Sequence, residues 1–288
     1  MKRILLHKNE QARLEALKKY VILDSLSEEE FDRITEQASL ICDVPISLIS
    51  LIDENRQWFK SKVGFSVSET SREIAFCNYA IQGRDLLEVE DATKDERFKN
   101  NELVTGDPKI RFYAGQPLVD PSGFALGTLC VIGQQPKRLT STQIRLLQLL
   151  AAQTMDLIVE RRQKAELKNF ENLFELSNDL ICIAGTDGFF KKVNPAFEKV
   201  LGWDRSVLLT TSFFDLVHPD DLLKTQEEIT RLAKGINTIN FTHRFLTKNG
   251  EYKILQWVAT PEPLTGNLFA IARDVSEEKD REKQLVLS

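Results

Sequence analysis

Histidine, cysteine and methionine are scarce in this chain: three, four and two among 288 residues. The cysteines, Cys42, Cys77, Cys130 and Cys182, lie far apart in apolar contexts and form no Cys-x-x-Cys pair, which argues against structural zinc. Such usage predicts reduced, mostly buried thiols and a cytoplasmic setting. No apolar run approaches the ~20 residues that a bilayer span requires. The start, Met1 to Asn9, has only three consecutive apolar residues, too few for a signal peptide. Low-complexity segments and close internal repeats are absent. So are Gly-x-Gly-x-x-Gly and Gly-x-x-x-x-Gly-Lys-Ser/Thr phosphate loops. A formal net charge of -5 gives the chain no attraction for nucleic acid or an anionic membrane.

What is present is ordinary globular material, 42% hydrophobic and 28% charged, in a length that suits one to three domains. Residues 9–20 read as a short amphipathic helix. Ser27-Glu-Glu-Glu30 reads as a capping box that opens a helix carrying Phe31, Ile34, Ala38 and Ile41. Ile46–Ile52 and Gln57–Val63 have strand length and a turn between them, a hairpin pattern. A short helix around Ile74–Gln82 holds Cys77. Leu86–Val89, Arg111–Leu118 and Phe124–Ile132 add three strands, for about five in the first half.

A long helical pattern follows, roughly Thr140 to Ser177. Thr140-Ser-Thr-Gln143 is a second capping box, and Ile144, Leu147, Ala151, Met155 and Ile158 form an apolar stripe. The stripe lapses over 160–168 and resumes at Phe170, Leu173 and Phe174, with neither Pro nor Gly in between. At ~1.5 Å per residue such a rod is about 55 Å long. A packed helix, a loose linker and a fresh helix would also fit; helix formers throughout the charged stretch favour the rod.

The second half is again strands with helices. Leu180–Ala184 and Phe189–Val193 flank a Thr186-Asp-Gly188 turn, and Asn194–Gly202 is a short helix. Ile239, Phe241, His243 and Phe245 alternate with polar residues, and Asn249-Gly250 turns the chain into Tyr252–Ala259. Leu268–Val275 is a last strand, and Ser276 is placed to cap a charged tail helix, Glu277 to Leu287. The fold class is α+β: two domains, each a central antiparallel sheet flanked by helices, joined by a long helix.

The first half resembles a bacterial GAF domain. The resemblance rests on Tyr20–Asp24 with Phe31-Asp32, Ile49–Asp53, Arg56–Ser61, Glu69–Glu73 with Ala75-Phe-Cys77, Asp91-Ala92 with Asp95–Phe98, Arg111–Leu118 and Gly127–Ile132, in that order. The second half is similar to a PAS domain of the sensory-box type. It shows Asn194-Pro-Ala-Phe197, Leu201-Gly-Trp203, His218-Pro-Asp-Asp221, Lys248-Asn-Gly250, Trp257 with Ala259-Thr-Pro261, and the ending Arg273-Asp-Val-Ser276. The expected limits are 1–160 for the GAF domain, 141–177 for the connecting helix, 170–276 for the PAS domain and 277–288 for the start of an output helix. The resemblance implies first the input half of a sensor histidine kinase, passing ligand or partner signals through coiled-coil helices, and second that of a cyclic-di-GMP enzyme such as a diguanylate cyclase.

Output chemistry is missing. None of His7, His218 and His243 sits in the His-Glu/Asp context of a phospho-accepting helix, and there is no Gly-Gly-Asp/Glu-Glu-Phe signature. The expectation is a cytoplasmic sensory module cut from a longer protein, with no catalytic domain of its own and an output domain beyond its C-terminus. A parallel homodimer through the rod is expected, since an exposed apolar stripe wants a partner. Stand-alone adaptor protein and GAF-type methionine sulfoxide reductase are the alternatives.

No catalytic or metal-ligating residue is expected. Cys77, Phe112, Tyr113 and Cys130 fall where GAF domains line their ligand cavity. These types suit a small-molecule or thiol-redox sensor, and they suit plain core packing better. Cys77 lacks a bilin-attachment context. In the PAS half, His243, Phe245 and Trp257 are the ligand candidates. A hydrogen-bonded core histidine is the simpler reading of His243. Lys224 stands where oxygen-sensing haem domains carry their ligand, which argues against haem, and no Asn-Cys-Arg-Phe-Leu-Gln segment supports flavin adduct chemistry. The ligand itself, if any, is an unknown small molecule.

Overall fold

The structure is a computed structural model that describes residues 6–262 and 264–286. The chain divides into two compact units at Ala165 and Glu166.

In the first unit α1 (Glu10–Lys19) and α2 (Glu29–Cys42) precede the hairpin β1 (Ile46–Ile52) and β2 (Arg56–Val63). Then come β3 (Glu69–Ser71), α3 (Phe76–Ala80), β4 (Leu87–Val89), α4 (Glu102–Thr105), β5 (Phe112–Val119) and β6 (Ala125–Gly133). The sheet has six strands in the order β3-β2-β1-β6-β5-β4, one more than the sequence pattern gives. The extra strand, β3, is three residues long with a polar Glu-Thr-Ser sequence, so it carries no apolar alternation to read.

The central strands β1 and β6 are buried along their whole lengths because both faces of the sheet are covered. Ile49, Leu51, Leu129 and Val131 face a layer built with α1 and α2. Leu48, Ile52, Cys130 and Ile132 face a second layer, built around α3 and Phe98. That is the period-2 geometry of a strand at work.

Ser27 does not cap α2. Its hydroxyl turns to the Asp32 carboxylate at 2.7 Å, and Glu28 takes the cap position without a side-chain bond. Glu28 is claimed by Lys60 and Arg161, each 2.7 Å away, so the carboxylate has two cations to serve instead of the helix end.

The long helix α5 (Ser141–Leu176) is continuous over 36 residues. Its start is the expected reciprocal box: Thr140 Oγ1 accepts from the Gln143 N–H at 3.2 Å, and Gln143 Oε1 accepts from the Thr140 N–H at 3.0 Å. Leu147, Ala151, Met155 and Ile158 are buried in the first unit's core. Leu167, Phe170, Leu173 and Leu176 are exposed, whereas Phe174 is buried.

The second unit runs β7 (Leu180–Gly185), β8 (Phe190–Val193), α6 (Pro195–Leu201), α7 (Arg205–Thr210), α8 (Leu222–Ala233), β9 (Thr238–Leu246), β10 (Tyr252–Glu262), β11 (Asn267–Asp274) and α9 (Ser276–Val286). Its antiparallel sheet has the order β8-β7-β11-β10-β9. Pro195 opens α6, where its missing N–H costs nothing, and Gly202 closes it in the left-handed region at φ 75°. The core lies on one face of the sheet. On the other face Val258, Phe269 and Ile271 are exposed.

Two details depart from the sequence pattern. Ile239 is exposed although it keeps the parity of Phe241 and His243. Asn240 adopts φ 56°, and the β9–β10 register shifts between Trp257 and Ala259. That irregularity reverses the faces, so Thr238 points inward and Ile239 outward. Ser276 does not cap α9 with its hydroxyl. That oxygen accepts from the Ile254 N–H at 2.8 Å, and Asp274 takes the Ser276 N–H at 2.9 Å.

Candidate functional site

The core of the second unit holds a cavity of about 60 Å³ between α8 and the sheet. A single water needs roughly 10–15 Å³ measured this way, so there is room for more than one small group. Phe190, Phe241, Phe245 and Leu268 give it apolar walls, and His243 and Trp257 line it too. All three sequence candidates of this half therefore reach one cavity.

His243 sits on β9 and Trp257 on β10, and the side chains meet diagonally across the pair. The indole N–H of Trp257 donates to His243 Nε2 at 2.9 Å. Nε2 is thus the acceptor nitrogen, and in the neutral ring Nδ1 carries the hydrogen. Nδ1 lies 3.0 Å from Thr225 Oγ1, and Thr225 passes its own hydrogen to the Asp221 carbonyl at 2.8 Å. The chain Trp257–His243–Thr225–Asp221 leaves neither ring nitrogen free. Burial holds His243 at about 4, with Asp221 opposing that shift and Lys224 adding to it. A neutral imidazole with both nitrogens engaged is a fixed wall of the cavity.

Thr225 and Glu228 were not among the sequence candidates. Both lie on α8 with Ile229 and Leu232, and all four line the cavity. Their signal was legible, since positions 225, 228, 229 and 232 have the spacing of one helical face. Glu228 accepts from Thr238 Oγ1 at 2.5 Å and from Arg231 at 2.9 Å, so its charge is also matched. Below them Asp221 is gripped by Arg244 at 2.9 Å and neighboured by Lys224 at 3.1 Å. The Arg244 hydrogen bond pulls the Asp221 carboxyl well below the ordinary carboxylate range.

In the first unit three of the four candidates converge. Cys77 comes from α3, Tyr113 from β5 and Cys130 from β6. The two sulfurs are 3.8 Å apart, and the Tyr113 hydroxyl donates to Cys77 Sγ at 3.3 Å. Gly115 makes the tyrosine's path: a Cβ there would lie 2.1 Å from the Tyr113 hydroxyl oxygen. Ser50 and Thr128, opposite one another on β1 and β6, are buried without a hydrogen-bond partner.

Burial pushes the Cys77 thiol up. The surrounding Cys130, Ser50, Thr128 and Tyr113 groups favour its thiolate, and the net direction is downward. The bond to Cys77 and burial push Cys130 up. Phe112 does not join the cluster. It is adjacent in sequence to Tyr113 on one strand, so it faces the opposite layer with Leu118 and Leu129. The other thiols are solitary: burial pushes Cys42 up to about 11 and raises Cys182 as well.

Among the described residues no group of three or more His, Cys, Asp and Glu side chains could hold a metal ion. Nor, among them, is any helix long and apolar enough to cross a membrane.

Each unit is an antiparallel sheet flanked by helices around a cluster of aromatic and polar side chains, the α+β architecture of GAF and PAS folds. Residues 27–157 match the GAF domain family, and residues 190–267 match the PAS fold family. The chain is a GAF domain followed by a PAS domain. It is 45% identical over 116 residues to a cyclic di-GMP phosphodiesterase of Pseudomonas aeruginosa, covering 40% of this chain and 20% of that protein. It is 31% identical over 113 residues to a probable diguanylate cyclase of Escherichia coli, covering 37% of this chain and 10% of that one. The chain therefore matches a fifth or less of the length of these curated relatives. Among solved structures it resembles a domain of a sensory box sensor histidine kinase/response regulator from Geobacter sulfurreducens, with 26% identity and TM-score 0.35 over 38% of this chain and 94% of that one. It also resembles the GAF domain of an Acinetobacter phosphoenolpyruvate-protein phosphotransferase, with 22% identity and TM-score 0.40 over 54% and 98%.

Proposed function

We propose that this chain is the input module of a cytoplasmic bacterial signalling protein, of the histidine-kinase or cyclic-di-GMP class. Two curated relatives named for cyclic-di-GMP turnover weigh toward the second class and away from the kinase that the sequence resemblance puts first. The observation that carries the sensory reading is the apolar cavity beside the Trp257–His243–Thr225 chain. Its walls are apolar and its polar groups are already bonded, so it selects a small, mainly apolar ligand by shape and desolvation. No step of this reading uses haem, bilin or flavin.

The module acts as a homodimer in this reading. Leu167, Phe170, Leu173 and Leu176 project unpaired from α5, and a second copy of the same helix would bury them. A ligand that binds one conformation of the cavity better than another shifts the population, and helix pairing conveys the shift. Native mass spectrometry of the chain, set against its denatured mass, tests both parts. A dimer with extra non-covalent mass is the expected result. A monomer at micromolar concentration overturns the helix pairing, and a cavity that stays empty against a library of small apolar compounds overturns the ligand reading. In a longer protein carrying this module, Val159→Pro should uncouple input from output, because a helix-interior proline costs about 3 kcal/mol and breaks the ladder.

A further inference from the structure

We propose that Cys77 and Cys130 are a thiol–disulfide redox pair, in which a hydroperoxide oxidises Cys77 and Cys130 resolves it. This goes beyond the signalling role and stands whether or not that role is right. Three observations meet at one place. The sulfurs of two cysteines 53 residues apart in sequence lie 3.8 Å from each other, with nothing between them. A disulfide holds its sulfurs at ~2.05 Å, so oxidation has to draw these two together. The Tyr113 hydroxyl already donates to Cys77, the thiol that has to carry charge to react. Thr128 stands two residues from Cys130 on β6 and Ser50 faces it across from β1, and both hydroxyls are buried and without a bonded partner in the reduced structure. An apolar core has no use for unpartnered hydroxyls. Beside a developing thiolate they become donors.

The chemistry balances with one hydroperoxide, ROOH. The Cys77 thiolate attacks the terminal peroxide oxygen, forming S–O as O–O breaks. The alkoxide or hydroxide leaves and takes up the Cys77 proton as ROH. Cys77 is now a sulfenic acid, oxidised by two electrons. The Cys130 sulfur attacks the Cys77 sulfur, S–S forms, and S–O breaks. The departing hydroxide takes the Cys130 proton and leaves as water. The sum is two thiols and one ROOH to one disulfide, ROH and water. A dithiol reductant reverses the state by exchange. Both thiols are buried, so the peroxide enters when α3, only five residues long, opens locally. The reaction is accordingly slower than that of an exposed thiolate, yet confined to this pair.

The test uses the whole chain with hydrogen peroxide, followed by denaturation, thiol alkylation and mass analysis. The expected result is loss of two of the four free thiols, a mass about 2 Da lower before alkylation and two alkyl groups fewer after it, a Cys77–Cys130 cross-linked peptide and full recovery with dithiothreitol. Four alkylated thiols after complete peroxide consumption would overturn the proposal. So would a bridge using Cys42 or Cys182, or one between two copies. This arm needs no variant, so misfolding cannot hide the answer. In Cys130→Ser a dimedone adduct should accumulate on Cys77, and an adduct elsewhere counts against the assignment. Tyr113→Phe, which keeps the ring, should slow oxidation about tenfold, the worth of one hydrogen bond to the reacting sulfur. An unchanged rate would remove Tyr113 from its part.

Discussion

The two interiors solve the same problem in opposite ways. The GAF sheet is covered on both faces, and its polar cluster is closed, with Cys77, Tyr113 and Cys130 no more than 1% exposed. Yet hydroxyls there, Ser50 and Thr128, go without partners. The PAS sheet is covered on one face and keeps a cavity of about 60 Å³, but His243, Thr225 and Trp257 beside it are bonded to one another. One interior leaves buried hydroxyls unpartnered. The other has its polar side chains bonded beside a cavity. Reactivity is expected of the first and small-molecule occupancy of the second.

Acid gives the sharpest way to separate them. His243 sits at about 4 when folded, below the 6.5 of the free side chain, so between those values the unfolded chain takes the proton first. Its contribution is fully present above pH 6.5 and is lost as the pH falls toward 4, about 3 kcal/mol in all. The GAF counterpart is Glu10. Burial opposes its charge, but bonds from Arg13 and Arg72 lower it from 4.5 to about 2, so its contribution persists until the pH drops below 4.5. Hydrogen exchange followed from pH 7 to 4.5 should therefore show PAS peptides opening before GAF peptides. His243→Gln should flatten the PAS response. Equal sensitivity of the two domains would break the comparison.

Packing gives the next largest contrast. Ala114 on β5 is fully buried in the filled GAF layer, and Ala270 on β11 lines the PAS cavity. Ala114→Val should cost about 2 kcal/mol by overpacking. Ala270→Val has empty space to enter and should stay within about 1 kcal/mol of the parent. Urea unfolding of both variants checks the pair, and matching losses would mean that the cavity cannot accept a methyl group. A non-covalent probe sharpens the same point. Benzene at ten times its dissociation constant should stabilise the PAS domain by about 1.4 kcal/mol and leave GAF exchange rates alone. The smallest expected effect is a control on the shared helix: Thr140→Ala should cost about 1 kcal/mol through the lost cap, seen as faster exchange in the first turn of α5.

Most of this architecture was legible because it rests on local rules. The strands of β1, β6 and β9 show in their apolar residues, Asn249-Gly250 marks a hairpin, and Thr140 with Gln143 marks the start of α5. What escaped depends on the fold around it. Ser27 has the form of a cap but meets Asp32 first, and β3 is stabilised by pairing with β2 without any pattern of its own. Asn240 reverses the faces at the start of β9 through one left-handed residue, which sent the Ile239 expectation outward. For the site, Cys77, Tyr113 and Cys130 do converge, and His243, Phe245 and Trp257 share a cavity. Strand parity alone would have separated Phe112 from Tyr113. Thr225 and Glu228 share the spacing of one α8 face with Ile229 and Leu232, and what the pattern did not give was which wall of the core that face lines. The unpartnered state of Ser50 and Thr128 is a property of three-dimensional surroundings and has no trace in the sequence.

The bond from the Trp257 indole N–H to His243 Nε2 has an optical consequence. Its indole hydrogen is held by a lone pair that vanishes when the ring is protonated, and an imidazolium N–H would then face an indole N–H. Trp257 therefore experiences a different electrostatic field in the two states, and its emission registers the proton on its neighbour. With Trp58 and Trp203 replaced by phenylalanine, the remaining indole is a built-in lamp for the state of the cavity wall.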